Sequence, residues 1–430
     1  MRCNFLAVMW FPLALSIRHV LRAHGPRTRS VAVWCASSSS SSSSSAVRSL
    51  ADVKAIIDTF SRGETPSLAT IQSILVDSRK QHAKLPNLVR LKIPTPPPLP
   101  ADTASGMDSV APMTLLSIEG GGMPTTVSTR EDEPQAPPGG LIIVGDTHGQ
   151  FTDLVGKIFS DKVAGFPSPH NVFIFNGDFV DRGENSLGVI VTLLAIKLAL
   201  PDALHLVRGN HESIQMNIMF GFTDELQKKF GDEALQLFHL FTETFNALPL
   251  AAVVHDSVFV VHGGIGPVTY KMTLDDLDKL NRFKQPDFAQ TPLDSMREAE
   301  PPILTDEELQ ELNGVGELLW SDPADRTTGF KRNSRGGGTT AFGADITQQF
   351  LALNGLQYMV RSHVMKQAGF SVGHDGLCLT IFSAPNYCGS RNLGAVLRYR
   401  DPAMVMQPEV VQYKAVNHPA PKPSSSLDME

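Results

Sequence analysis

Apolar positions change rhythm along the chain, and the changes divide it. From residue 52 they fall at helical spacing: Val53, Ile56, Ile57 and Phe60 share one face, and Gly63 stops the segment. Pro66 suits the first turn of a second helix with Leu68, Ile71 and Leu75 as its stripe, and Pro86 limits that helix on its C-terminal side. A second rhythm begins at Leu141. Short apolar runs at 141–144, 172–175, 204–207, 258–261 and 377–382 predict strands, while 186–200 and 232–248 predict helices. Strands alternating with helices predict an α/β fold around a layered sheet core.

Elsewhere the pattern is lost. A serine run over 37–45 reads as a flexible linker, 94–100 as a proline-rich extended stretch, and 101–140 as an unstructured connector. The polar, proline-containing stretch 285–311 reads as a surface insertion. The chain thus divides into a leader (1–51), a helical segment (52–93), a Pro/Gly-rich linker (94–140), a compact domain (141–413) and a disordered tail (414–430).

Composition narrows the picture. A chain of 430 residues with 42% hydrophobic positions can bury a large core, and a net charge of -7 argues against a nucleic-acid binder. Four cysteines make no disulfide framework, and Cys378 and Cys388 read as reduced core thiols. No Asp or Glu precedes Asp52, whereas Arg2, Arg18, Arg22, Arg27, Arg29 and Arg48 do. That start fits an organelle transit peptide, and the short apolar core after Arg2 fits a secretory signal; the plain alternative is an unstructured leader. The run from Phe5 to Ile17 is too short for a membrane span, and no later segment reads as one.

The chemistry sits where the strands end. Gly145-Asp146-Thr147-His148-Gly149 follows the first run, and Asn176-Gly177-Asp178-Phe179-Val180-Asp181-Arg182-Gly183 the second. Arg208-Gly209-Asn210-His211-Glu212 follows the third, and His262-Gly263-Gly264 the fourth. Ligands of open α/β sheets gather beyond the carboxyl ends of strands, so these clusters can converge on one point. Alone, an Asp-x-His after a strand is more often a turn or a cap; four Gly-flanked clusters in this order are not explained by capping. Carboxylate and amide oxygens with imidazole nitrogens suit Mn, Fe or Zn, and a bridging carboxylate can hold two ions ~3.5–4 Å apart. Such a pair suits hydrolysis of a phosphate ester.

These motifs resemble those of the phosphoprotein phosphatase family. His262-Gly263-Gly264, Leu318-Leu319-Trp320-Ser321-Asp322-Pro323, Arg361-Ser362-His363 and Ser383-Ala384-Pro385-Asn386-Tyr387-Cys388 extend the match over 141–413. The resemblance implies a four-layer α/β/β/α metallophosphoesterase sandwich that hydrolyses phosphoserine and phosphothreonine. It implies two divalent ions (Mn, or Fe/Zn), with attack by metal-bound hydroxide and no phosphoenzyme. Asp146 and His148 would hold the first ion, Asp178 would bridge, and Asn210, His262 and His363 would hold the second. His211 would be the general acid oriented by Asp181. Arg182, Asn210, His211, Arg335 and Tyr387 would line the phosphate pocket.

Arg335 stands in a segment one residue longer, before Phe342-Gly343, than the family pattern, and Val364 replaces a polar residue usual after Arg-Ser-His. Partners implied are phosphoprotein substrates and a regulatory or targeting protein subunit. The implied compartment is cytoplasm or nucleus unless the leader directs the chain elsewhere. Rival readings are a metallophosphoesterase acting on nucleotides or dinucleoside polyphosphates, and a non-catalytic scaffold. Trp320 reads as a packing residue, and His255 and His374 as ordinary surface or strand-end residues.

Overall fold

The computed structural model describes residues 47, 49–94, 114–116, 125–128, 139–283, 306–335 and 339–416. The leader up to residue 46, most of the insertion and the tail from 417 lie outside the described residues. Two sheets carry the body. The larger has seven strands, ordered Thr114–Leu116 (β2), Thr125–Ser128 (β3), Glu409–Tyr413 (β16), Gly394–Tyr399 (β15), Gly140–Val144 (β4), Asn171–Asn176 (β5) and Leu204–Val207 (β6). The smaller has six, ordered Leu88–Leu91 (β1), Ala251–Val254 (β7), Val258–Val261 (β8), Tyr358–Arg361 (β12), Cys378–Ile381 (β14) and Phe370–Gly373 (β13).

Alternation along each strand sets the layers, because successive side chains point to opposite faces. Leu141, Ile143 and Ile174 meet Val254, Val258, Val260, Val360 and Leu379 in a core between the sheets. Ile142, Val144, Phe173 and Phe175 point the other way. There they meet helices α1 (Leu50–Ser61), α2 (Leu68–His82), α3 (Ser186–Ala199) and Ala234–Asn246. On the far side Ala251, Val253, Phe259 and Val261 pack under helices Asp306–Trp320 and Ala344–Asn354, through Val315, Leu318, Leu319, Phe350 and Leu351. The order is helix, sheet, sheet, helix, as the resemblance implied. All five expected strands lie within, or in the 377–382 run around, observed ones.

Three boundaries differ from the sequence reading. Residues 52–93 are not a separate segment. Val53, Ile56, Phe60, Ile71, Ile74 and Leu75 belong to the same cluster as Phe173 and Phe175, and β1 pairs in parallel with β7, Leu88 beside Ala251. The connector 94–140 contributes β2 and β3, the latter parallel to β16. A helix begins at Asp306, inside the stretch read as an insertion. The strands β1, β2 and β3 are too short to be read without their tertiary partners. A smaller shift is at Pro66: the α2 cap is Ser67, whose side chain accepts from the Thr70 amide, so the proline precedes the helix.

The seam between α2 and the body holds buried imidazoles. His82 and His205 are pushed down to about 4 and about 3, in each case chiefly by burial and then by nearby cations, Lys197 among them. Both rings are therefore neutral in the fold and take up protons on unfolding below their ordinary value near 6.5. Their contribution is complete above that value and is lost as pH falls. One pKa unit corresponds to about 1.4 kcal/mol, so His82 alone removes about 3 kcal/mol of stability by pH 4. Urea titrations of parent and His82→Gln from pH 7 to 4 should diverge, the parent losing stability more steeply; parallel curves would remove His82 from the acid response.

Candidate metal centre

The polar clusters leave the carboxyl ends of β4, β5, β6, β8 and β12 and turn sharply. His148, Asp178, Asp181, Arg182 and His363 all have positive φ, between 40° and 71°. Non-glycine residues rarely adopt that region, and such strain collects at sites that the rest of the fold holds in place. Two glycines let the loops meet. A Cβ on Gly177, itself at φ +87°, would lie 2.4 Å from Gly209 Cα, and one on Gly209 would lie 2.3 Å from the Asp178 nitrogen.

The convergence centres on Asp178. His148, Asp178 and His211 form one group of candidate ligands, and Asp178, His262 and His363 form another, all buried. Asp178 Oδ2 is 3.6 Å from His148 Nε2, and Asp178 Oδ1 is 3.3 Å from His262 Nε2. Asp146 Oδ2 stands 3.7 Å from His148 Nε2, while Asp146 Oδ1 accepts from the His363 amide at 3.0 Å. Asn210 Oδ1 is 3.0 Å from His262 Nε2. The six residues expected to hold cations thus lie together, and one carboxylate is shared between the two groups.

Outer partners fix the rings. His148 Nδ1 and His262 Nδ1 donate to the carbonyls of Val180 (3.1 Å) and Asn176 (2.8 Å), which turns Nε2 of each ring toward Asp178. Burial disfavours a charged His262, yet Asp178 lifts that ring to about 9. Asp146 Oδ2 and His363 Nε2 are buried with no hydrogen-bond partner. Burial, reinforced by Asp178, lifts Asp146 to about 7. Burial also raises Asp178, but His262 and His211 outweigh it and hold the carboxyl well below its ordinary value. Burial drives His148 down to about 3 and His363 down as well. A buried carboxyl pair, the neutral imidazoles of His148 and His363 and the orphaned ligand atoms together form a donor set that fits divalent cations.

Beside this centre His211 Nδ1 meets Asp181 Oδ2 at 2.8 Å. Asp181 is held in turn by the side-chain amide of Asn217 (3.0 Å) and the Phe222 amide (3.0 Å). Burial opposes charge on His211, but Asp178 and Asp181 outweigh it and the ring's pKa is raised. Arg182 is exposed, its guanidinium 3.7 Å over the Phe220 ring. Arg335 does not float free in its Gly-rich loop. Its Nε donates to Asp322 Oδ2 at 2.6 Å and its Nη2 to the His363 carbonyl at 3.1 Å. Tyr387 stacks on His148 with ring centroids 4.9 Å apart.

Several residues that shape the site carried no role in the sequence reading. Glu212 accepts from the amides of Asp178, Phe179 and Gly209, each at 2.8 Å, and so binds two loops together. It stood inside a motif, which was the available signal. Asn217 and Phe220 lay in no motif and were not legible. Trp320 packs, and does so edge-on against His363 at 5.6 Å. One reading narrows and one changes. His374 is the strand-end residue after β13, buried and bonded to Thr347 Oγ1 at 2.8 Å, and not a surface one. Cys388 is exposed rather than in the core, unlike Cys378.

The calcineurin-like phosphoesterase family matches residues 141–367. Serine/threonine-protein phosphatase 5 of Solanum lycopersicum is 44% identical over 282 residues, 65% of this chain and 45% of that protein. Serine/threonine-protein phosphatase 5 of Homo sapiens is 40% identical over 286 residues, 66% of this chain and 50% of that one. The chain spans about half the length of the curated relatives it matches. Among solved structures, a protein serine/threonine phosphatase from Saccharomyces cerevisiae with similarity to a human phosphatase aligns with a TM-score of 0.61 at 28% identity, over 84% of this chain and 95% of its own. The match over more than half the sequence, together with the four-layer sandwich and the clusters at its strand ends, places the chain in the calcineurin-like phosphoesterase family.

Proposed function

We propose that the chain is a protein serine/threonine phosphatase that hydrolyses phosphoserine and phosphothreonine in other proteins. The observation that supports this most is the sharing of Asp178 between two buried ligand groups. Relatives named serine/threonine-protein phosphatase support the substrate class. Asp146 and His148 would hold one divalent cation and Asn210, His262 and His363 a second, with Asp178 between them. Such ions, Mn or an Fe/Zn pair, would acidify a water and neutralise phosphate charge.

The remaining steps belong to the chain's own side chains. Arg182 and Arg335 offer forked donors to phosphate oxygens, and Asn210 and Tyr387 wall the pocket. His211 hands a proton to the departing serine or threonine oxygen, which leaves poorly as an alkoxide. Asp181 keeps that ring oriented through Nδ1 and favours its charged form.

With Mn²⁺ present, a phosphothreonine peptide should turn over with at least roughly tenfold higher kcat/KM than a dinucleoside polyphosphate, a difference of about 1.4 kcal/mol in transition-state binding. Preference for the polyphosphate would replace this reading with that of a nucleotide phosphoesterase. Turnover of neither substrate would leave the scaffold.

A further inference from the structure

Arg282 is 4% exposed and lies far from the cation ligands in sequence, in a loop no motif marks. All three of its guanidinium nitrogens donate, and none of these bonds goes to a carboxylate. Nε donates to the Ala247 carbonyl (3.1 Å) and Nη1 to Asn87 Oδ1 (2.6 Å), while Nη2 donates to the carbonyls of His82 (2.9 Å) and Leu85 (2.7 Å). Asn87 closes the clamp by donating to the carbonyls of Leu277, Asp278 and Leu280. The turn after α2 is thereby locked to the loop that carries Arg282.

That loop also reaches the centre. The Arg282 carbonyl accepts from Arg208 Nη1 at 3.1 Å. Arg208, fully buried, donates through Nε to the Glu212 carbonyl at 3.1 Å and so braces the turn that presents Asn210 and His211. The Glu212 carboxylate continues the line to the Asp178 amide. Hydrogen bonds linked through the residues Arg282, Arg208 and Glu212 thus connect the end of α2 to the Asp178 amide.

We propose that Arg282 is a positioning residue. By fixing the 82–87 turn to the body and supporting Arg208, it holds Asn210 and His211 in register with Asp178. The inference rests on the reading of this centre as a cation site. A planar fork with donors in fixed directions suits four oxygens around it, and a lysine ammonium does not.

The test uses the full chain and Mn²⁺ alone as probe, well below the unfolding midpoint and normalised per folded molecule. Arg282→Ala should bind Mn²⁺ roughly 10–100-fold more weakly, the size of effect usual for an outer support of a metal site. With p-nitrophenyl phosphate its kcat should fall by a similar factor while KM changes little. If that variant does not fold, Arg282→Lys keeps the charge and is measured the same way, with the same losses expected. A folded variant of either kind with the parent's Mn²⁺ affinity and kcat overturns the positioning role, whatever its unfolding midpoint. A parent chain that binds no Mn²⁺ overturns the cation reading itself, and this inference with it.

Discussion

Asp178→Asn should empty both cation positions at once. The native carboxylate presents Oδ2 toward His148 and Oδ1 toward His262, and Oδ1 also accepts from the His211 amide at 2.9 Å. Asparagine keeps an oxygen for that amide, so the loop retains its anchor. It puts an NH₂ where the second carboxylate oxygen stood, and it removes the negative charge that two cations would share. The activity loss should exceed the roughly 10–100-fold that follows removal of an outer support. The fold should survive, since the variant relieves the buried Asp146–Asp178 repulsion that helps lift Asp146 to about 7. Mn²⁺ should therefore raise the melting temperature of the parent, by the mass action of a ligand that binds only the native state, and leave the variant unmoved. Metal analysis that finds both ions in Asp178→Asn would refute the shared carboxylate.

His211→Ala should separate proton transfer from cation binding. His211 stands within the first ligand group by distance, yet its Nδ1 is committed to Asp181 and its amide to Asp178. As the acid, its loss costs roughly 10²–10⁴-fold on alkyl phosphates, whose leaving oxygen needs the proton. Aryl phosphates leave more readily and should suffer less. Mn²⁺ content should stay at the parent's level. A variant that drops a cation and slows both substrate types equally would make His211 a ligand instead.

Much of this was legible in the sequence because the chemistry sits at strand ends. Runs such as 141–144 and 172–175 are apolar throughout, since both faces of β4 and β5 are covered, and each stops abruptly at a polar, glycine-flanked turn. The candidate ligands could be read from those turns one by one. What the sequence did not carry was support that depends on tertiary partners. Asn217 is an ordinary helix residue until the fold brings it to Asp181. Arg335 entered the phosphate pocket only through the resemblance, because nothing local predicts Asp322 and the His363 carbonyl beside it. The strands β2 and β3 were missed because each is short and set among Gly and Pro.

The parallel pairing of β1 with β7, with α1 and α2 lying over the other sheet, also bears on how the chain is made. Those pieces leave the ribosome well before β7 and the Ala234–Asn246 helix. Until then α1 and α2 can pack on α3, but the side of α2 that meets the Ala234–Asn246 helix stays uncovered. Docking must wait for contacts of long sequence separation, which form slowly. During translation this stretch is where a holding chaperone has most to protect.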